Sequence, residues 1–301
     1  MDKVQLLQLV ECPACQAGLT GWKACQACGI AFDADGDTPR LMAGETECTV
    51  SFDFAATRSV VPDERQVELL RYPPRSPKKK APYHLDAAHA QVLEGLEPGK
   101  TILDIGCGGG QMRTYVEGLG HEYVGIDISK TRVHEWLQEH GGPDLLADAH
   151  FLPFKSATFD VIYSAAVTEH LACPQLVAQQ IHRALRPGGF YLGNCSFMEP
   201  WHDDSFYHMS PLGVIELLTQ AEFEIDHVWP GVGYSGYRAL MRMGNSVTKR
   251  VSLIGDAVFG VYRLGGYMKK KLRPASSRPV FEAARVAGAI DWIAHKPTTD
   301  D

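Results

Sequence analysis

From residue 81 onward, short apolar runs alternate with longer segments in which apolar residues recur every three or four positions. The short runs are typical of strands buried in a parallel sheet, and the longer segments are typical of helices that cover such a sheet. The pattern predicts strands at Thr101–Ile105, Tyr123–Ile126, Leu145–Ala147, Phe159–Ser164, Phe190–Cys195, Phe223–Trp229 and Tyr237–Met243. It predicts intervening helices at Gln111–Leu119, Lys130–His140, 175–185 and Pro211–Gln220. An α/β fold is therefore expected.

The flanking regions follow other patterns, which divide the chain into four parts. We expect a cysteine-rich unit at 1–45, a linker at 46–80, the α/β core at 81–243 and a C-terminal helical extension at 244–301. The linker ends in a basic stretch with three prolines, Tyr72–Lys80, which favours neither a helix nor a central strand.

The C-terminal extension reads as helical, with breaks at Gly265-Gly266 and between Pro274 and Pro279. Its basic cluster is Lys269–Lys271 with Arg273. Two interpretations remain open: a helical layer packed on the sheet, or a surface that contacts anionic lipid or an acidic substrate.

Composition and charge exclude several classes. Of the 301 residues, 45% are hydrophobic, which is enough for a sizeable core and argues against a disordered chain. The net charge of −7 disfavours a globally basic nucleic-acid binder. Because no apolar run approaches the roughly 20 residues of a membrane-spanning helix, we expect none. Residues 1–20 lack a basic start and an apolar run, so a cytoplasmic protein with reduced thiols is expected.

Four of the eight cysteines lie within 17 residues as two C-x-x-C pairs: Cys12, Cys15, Cys25 and Cys28. Each pair can present two thiolates from one tight turn, and two pairs complete the tetrahedral sulfur site that structural zinc prefers. Gly18 and Gly29, which follow the two pairs, suit the turns. Clustered thiols in a chain without a leader favour zinc over disulfides or redox thiols, and a closed site of four thiolates predicts a structural role.

A glycine-rich loop, Leu103–Gly110, follows the first core strand and opens a helix. Its glycines let backbone N–H groups approach a ligand at the positive end of the helix. Dinucleotide-binding folds use a similar loop, but Gln111 stands where their third glycine would be. The carboxylate of Asp104 suits a cationic ligand better than a diphosphate.

Two further acids follow the next two strands. Asp127 comes 23 residues after Asp104 and can accept hydrogen bonds from ribose hydroxyls, while Asp148 can accept from an adenine amine.

In this order and spacing, residues 85–243 resemble the class I S-adenosylmethionine-dependent methyltransferases. The resemblance implies a Rossmann-like, seven-stranded sheet with helices on both faces. It also implies S-adenosylmethionine as cofactor, held by Asp104, Gly106, Gly108, Asp127, Ile128, Asp148, Ala149 and Ser164. The segment Cys12–Met42 resembles a zinc ribbon of methyltransferase-associated proteins.

Three histidines near the carboxyl ends of the fourth and fifth core strands are candidates for a general base: His170, His202 and His208. Some quinone O-methyltransferases carry E-x-x-E-H with a metal nearby. Here Ala166 replaces the first carboxylate, which argues against a catalytic metal. The loop around His202 also carries Trp201, Phe206 and Tyr207, aromatics suited to a substrate wall. Tyr83 and His84 are candidates for a lid, because the resembling family often folds this segment over the cofactor.

The leading hypothesis is methyl transfer to a small or lipid-like acceptor, with the acceptor atom (oxygen, nitrogen or carbon) undecided. The alternative is an rRNA or tRNA methyltransferase that uses the zinc ribbon and basic segments to grip RNA. A third hypothesis is an adaptor that binds the cofactor without catalysis. The sequence does not indicate the oligomeric state.

Overall fold

The computed structural model describes residues 1–50, 68–74, 85–130, 141–202, 204–231, 235–242, 246–272 and 279–298. Within these ranges the strands are β1 Asp33–Asp35, β2 Thr38–Leu41, β3 Thr101–Ile105, β4 Glu122–Asp127, β5 Leu145–Ala147, β6 Phe159–Ala165, β7 Leu185–Ser196, β8 Glu224–Pro230 and β9 Ala289–His295. The helices are α1 Lys3–Leu9, α2 Ala87–Glu94, α3 Arg113–Gly118, α4 Pro174–Ala184, α5 Pro211–Gln220, α6 Gly236–Arg242, α7 Ser246–Arg250, α8 Ser252–Leu272 and α9 Pro279–Ala284.

The described strands form one sheet in the order β1-β2-β5-β4-β3-β6-β7-β9-β8. Adjacent strands are parallel from β2 to β7 in this order. At the two ends of the sheet, β1 is antiparallel to β2, and β9 is antiparallel to both β7 and β8. The order reverses at β3, whose neighbours are β4 on one side and β6 on the other. In an open parallel sheet, ligands bind at such a switch point, beyond the carboxyl ends of the strands.

Alternate residues of the central strands enter two apolar layers, one on each face of the sheet. On β3, Ile102 packs into the layer that contains α2 and α3, and Leu103 packs into the layer that contains α4 and α5. Each central strand is therefore covered on both sides, which explains its nearly continuous apolar sequence. The predicted α/β class, with helices on both faces of the sheet, is confirmed.

The seven-stranded core is also confirmed, but its seventh strand is not the predicted one. Tyr237–Met243 was expected to be a strand, whereas Gly236–Arg242 is α6. The strand that completes the core is β9, inside the extension predicted to be helical. Five of its seven residues are buried between β7 and β8. The prediction failed because a short apolar run is compatible with a buried strand and with a segment of a helix, and the surrounding helical pattern favoured the helix.

Most of the remaining described residues of the C-terminal extension are helical, as α7, α8 and α9. The expected break at Gly265-Gly266 is absent, since α8 continues through both glycines. The expected break at 274–279 lies mostly outside the described residues, as do the predicted helix Lys130–His140, Tyr83, His84 and most of the linker. No helix in the described ranges combines the length and apolar character that a bilayer crossing demands.

The N-terminal unit extends the sheet instead of standing apart from it. Strand β2 pairs in parallel with β5, and Arg40 and Leu41 lie opposite Leu146 and Ala147. The backbone N–H of Glu11 donates to Pro153 O at 3.0 Å, and the buried Glu11 carboxylate pairs with Arg183 of α4. These contacts tie the cysteine-rich unit to the same edge that carries Asp148.

Candidate cofactor cleft and thiolate cluster

The four predicted zinc ligands meet at one point. The Sγ atoms of Cys12, Cys15, Cys25 and Cys28 all lie within 4.8 Å of one another. The Cys15–Cys25 and Cys12–Cys28 sulfur distances are 3.6 and 3.7 Å. A zinc ion bonded tetrahedrally at about 2.3 Å requires sulfurs about 3.8 Å apart, so the four thiols fit such an ion.

The two C-x-x-C turns are built alike. The N–H of Cys12 donates to Ala17 O, and the N–H of Cys25 donates to Ile30 O five residues on. Each turn also contains one residue in the left-handed region: Gln16 in the first, with φ +59°, and Gly29 in the second, with φ +78°. Gly29 therefore fills its expected role, whereas the first turn places Gln16, and not Gly18, in that conformation.

The glycine loop needs glycine for both conformation and space. Gly106 has a φ of +68°, and a Cβ atom there would lie 2.3 Å from Cγ2 of Val167. The N–H of Gly108 donates to Oδ2 of Asp127 at 3.0 Å. The loop after β3 is thus fixed to the end of β4, with Val167 directly above it.

A cleft of about 590 Å³ opens at this edge of the sheet. Five of the predicted cofactor-binding residues line it, and so does one histidine candidate: Gly106, Asp127, Ile128, Asp148, Ala149 and His170. Val167, Leu171 and Phe206 contribute apolar surface to the lining. The cleft therefore combines carboxylates, a glycine loop and apolar walls, as a cationic nucleoside would require.

The orientation of Asp148 is set by His150, which sequence reasoning missed. The N–H of Cys173 donates to Nε2 of His150, so Nδ1 carries the ring proton and donates to Oδ1 of Asp148 at 2.6 Å. Burial alone would raise the pKa of Asp148, but the hydrogen bonds from His150 outweigh it and hold that pKa below its usual range. The signal in the sequence was an Asp-x-His step at the end of a strand.

Two predicted site residues, Asp104 and Ser164, are buried and do not belong to the described lining of the cleft. Asp104 is buried and accepts a hydrogen bond from the Tyr123 hydroxyl at 2.8 Å, and burial raises its pKa to about 7. Ser164 is buried as well, with its hydroxyl 3.0 Å from that of Tyr191. Gly108 lies beside the cleft and reaches it through Asp127.

The three histidine candidates stand in a row. The ring of His170 lies 5.6 Å from that of His202, which lies 5.6 Å from that of His208. The carbonyl of Pro200 accepts a hydrogen bond from Nδ1 of His202 at 2.9 Å, which leaves Nε2 as the acceptor of the neutral ring. Nε2 of His208 lies 3.2 Å from the Ser205 hydroxyl. Only His170 belongs to the described cleft lining.

A pair of carboxylates supports this row, and sequence reasoning missed it. The Ser196 hydroxyl lies 2.6 Å from Oε1 of Glu169 and 3.1 Å from Oε2 of Glu199. Burial raises the pKa of Glu199 to about 7, and the Glu169 carboxylate contributes to the rise. The backbone N–H groups of Phe206 and Tyr207 both donate to Glu169 O, which fixes the aromatic loop over the cleft.

These side chains could also hold a metal ion. Glu169, His170 and His202 each offer a ligand atom, and these atoms lie within 4.8 Å of one another. Oε2 of Glu169 and Nδ1 of His170 are buried and lack a hydrogen-bond partner among the described residues. His202 thus offers a third ligand atom although Ala166 replaces the first carboxylate of the E-x-x-E-H pattern.

Comparison with known proteins agrees with this geometry. A family model described as a methyltransferase domain matches residues 103–193, from the glycine loop to β7. This part of the chain is therefore similar to a methyltransferase domain. Its match includes the loop after β3, Asp127 and Asp148, and the Glu169–His170 step.

Three curated relatives are similar to this domain. A 2-methyl-6-phytyl-1,4-hydroquinone methyltransferase of Synechocystis is 35% identical over 35% of this chain and 36% of its own length. A ubiquinone biosynthesis O-methyltransferase of Mesorhizobium japonicum is 36% identical over 35% of this chain and 42% of its own length. A sterol 4-C-methyltransferase of Caenorhabditis elegans is 28% identical over 64% of each chain. The chain thus spans less than two thirds of the length of each.

Proposed function

We propose that this protein is an S-adenosylmethionine-dependent methyltransferase whose acceptor is a small, lipid-like molecule. The observation that carries the proposal is the cleft itself, where a glycine loop, Asp127 and Asp148 surround a space with apolar walls. Its relatives are named as methyltransferases of prenylated quinols and sterols, which favours an apolar acceptor over RNA. The cytoplasm remains the proposed compartment, because the four-thiol cluster requires reduced cysteines.

In this proposal the acids at the strand ends bind the nucleoside. Both hydrogen bonds that His150 gives to Asp148 use Oδ1, and Oδ2 would accept from the adenine amine. Asp127, whose carboxylate accepts from the Gly108 and Ser129 N–H groups, would also accept from the ribose hydroxyls. Ile128 and Ala149 would contact the base, and Asp104, Gly106, Gly108 and Ser164 would shape the methionine end.

Methyl transfer is a displacement at a sulfonium carbon, so alignment of donor and acceptor supplies much of the rate. The bound cofactor supplies the electrophilic methyl group. The chain contributes apolar walls that exclude water and, for a hydroxyl acceptor, a proton acceptor. His170 fills that role best, because it lines the cleft and its ring adjoins His202.

Alternatively, the same residues bind a divalent metal ion that assists methyl transfer. The convergence of Glu169, His170 and His202 favours it, since an ion there would polarise an acceptor oxygen. Dialysis against a chelator separates the two roles. Loss of turnover that Mn²⁺ or Mg²⁺ restores supports the ion, and unchanged turnover supports His170 as the base.

We also propose that the four-thiol cluster holds structural zinc. The sulfur distances of 3.6 and 3.7 Å and the matching turns support it. Four thiolates leave no open position, so the ion would stabilise β1 and β2 at the sheet edge and take no part in catalysis.

The cofactor assignment is tested by calorimetric titration of S-adenosylhomocysteine. The Asp127→Ala variant should bind at least about a hundredfold more weakly, because two hydrogen bonds to a charged group are lost. Asp33→Ala, at an exposed site on β1, is the matched control and should bind like the wild type. Retained affinity in Asp127→Ala contradicts the assignment.

The acceptor is tested with methyl-labelled S-adenosylmethionine, offered separately to a total lipid extract and to total RNA. Label in a lipid product supports the proposal, and mass fragmentation then locates the methyl group. Label in RNA alone contradicts it.

A further inference from the structure

Helix α8 packs on the protein through one narrow side. The positions that face inward are Gly255, Phe259, Tyr262 and Gly266, spaced three or four residues apart. Phe259 joins Ala283 and Val286 in a small apolar cluster, and a Cβ atom on Gly255 would lie 2.8 Å from the backbone of Arg238 in α6. This side fixes the orientation of the whole helix.

The opposite side of α8 is apolar and faces solvent. With about 100° of rotation per residue, the outward positions form a single stripe along the helix. Its members, between 40% and 76% exposed, are Leu253, Ile254, Val258, Val261, Leu264, Met268 and Leu272. A surface helix normally turns this stripe toward the core, so the inverted arrangement indicates an external apolar partner.

Charge identifies the kind of partner. Residues 246–272 contain six lysines and arginines against one acid, Asp256, in a chain whose net charge is −7. Asp256 pairs with Arg238 at 3.1 Å. Lys269 and Lys271 are exposed and leave the helix on opposite sides of the stripe. An apolar stripe flanked by lysines matches a bilayer surface, where the stripe enters the acyl region and the ammonium groups reach anionic headgroups.

We propose that α8 docks this protein on an anionic membrane, lying in the plane of the interface. Docking goes beyond methyl transfer and does not depend on it. It would place the protein where lipid-like acceptors reside. Helix α6 lies between α8 and the loop that follows β7. Gly255 of α8 packs against Arg238 of α6, and a Cβ atom on Gly236 of α6 would lie 2.8 Å from Met198 in that loop.

Vesicle co-sedimentation of the full chain tests the proposal. Wild-type protein should sediment with phosphatidylcholine vesicles that contain phosphatidylglycerol, and less with pure phosphatidylcholine. Added salt should weaken this binding. Val261→Asp should lower the apparent affinity at least about tenfold, because it places a charge in the stripe.

Matched controls exist in this chain. Val4 and Val261 are both 71% exposed, so Val4→Asp should leave vesicle binding unchanged. The double charge reversal Lys269→Glu and Lys271→Glu should abolish the preference for anionic vesicles. The double charge reversal Lys3→Glu and Lys23→Glu should leave that preference unchanged.

Three outcomes overturn the proposal. In the first, the wild type does not sediment with anionic vesicles. In the second, Val4→Asp loses as much vesicle binding as Val261→Asp. In the third, light scattering shows a wild-type dimer that Val261→Asp dissociates, while neither protein binds vesicles, so that the stripe is a self-association surface. Titration with S-adenosylhomocysteine, which Val261→Asp should bind normally, separates failure of docking from failure of the methyltransferase proposal.

Discussion

The described part of the protein has two groups of metal-binding side chains whose ligand atoms lie within 4.8 Å of one another: the four-thiol cluster, and the histidine cluster of Glu169, His170 and His202. They are built differently. The thiols come from a segment of 17 residues, and two matching turns fix them through local hydrogen bonds. The histidine cluster joins Glu169–His170, after β6, to His202, after β7. Its geometry depends on the sheet and on the loop that Glu169 O holds in place.

The difference separates stability from chemistry. A closed, locally determined site can stabilise the fold but offers no position for a substrate. The histidine cluster adjoins an open cleft and retains buried polar atoms without partners among the described residues, which is a cost to stability. Substitutions in the first cluster should therefore change unfolding, and substitutions in the second should change turnover.

The largest expected effect is that of Cys25→Ser. Cys25 is buried, and removing one thiolate should release the proposed zinc and the stabilisation it gives to the sheet edge. We expect a loss of at least about 4 kcal/mol in the free energy of unfolding. Denaturant unfolding and metal content by mass spectrometry check it. Cys48→Ser, at an exposed cysteine outside the cluster, should leave both unchanged. A Cys25→Ser protein that is as stable as the wild type and keeps its metal would contradict the structural role of the four-thiol cluster.

The next effect is expected at His170. His170→Ala should lower kcat about a hundredfold on the labelled acceptor, because a positioned base is lost, with little change in unfolding. His227→Ala, on β8, is the control. Equal loss of kcat in both variants, or a large loss of stability in His170→Ala, contradicts the assignment.

The same contrast explains what the sequence could predict. The two C-x-x-C pairs, the glycine loop and the acids after β4 and β5 are local patterns, so the thiol cluster and much of the cleft were recognised. The partnership of Glu169, Ser196 and Glu199 was missed because it arises only when β6 and β7 lie side by side. His150 was missed for a similar reason, since Cys173 fixes its ring from 23 residues away.

The misplaced seventh strand has another physical cause. Tyr237–Met243 has the apolar and aromatic content of a strand, but the sheet position beside β7 is taken by β9. Strand β9 fits there because Gly193 of β7 lies opposite Trp292 and has no side chain to displace it. Such a fit between residues about a hundred positions apart has no local sequence signature.

The smallest expected effect is a change in the pH dependence of stability when Glu199, beside the histidine cluster, is replaced. Its pKa rises from an ordinary 4.5 to about 7 in the folded protein, so the native state holds its proton more tightly than the unfolded state does. Wild-type stability should therefore fall as pH rises from 4.5 to about 7. Glu199→Gln cannot ionise and can still accept the Ser196 hydrogen bond. Its free energy of unfolding should equal that of the wild type in acid and exceed it by about 1–2 kcal/mol above neutral pH. This difference is smaller than the full pKa shift implies, because Glu199 is partly exposed to solvent, which screens its charge.

Asp160 should show the opposite sign. Burial opposes its ionisation, but the Thr101 N–H and the Arg186 guanidinium outweigh burial and hold its pKa below the usual range. Its contribution is present above the ordinary pKa and is lost as pH falls through the lowered one. Asp160→Asn should thus be less stable than the wild type at neutral pH and equal to it in acid. Denaturant unfolding of both variants across this pH range checks the pair. Parallel pH responses would mean that Glu199 is not a carboxylic acid kept protonated beside the cleft.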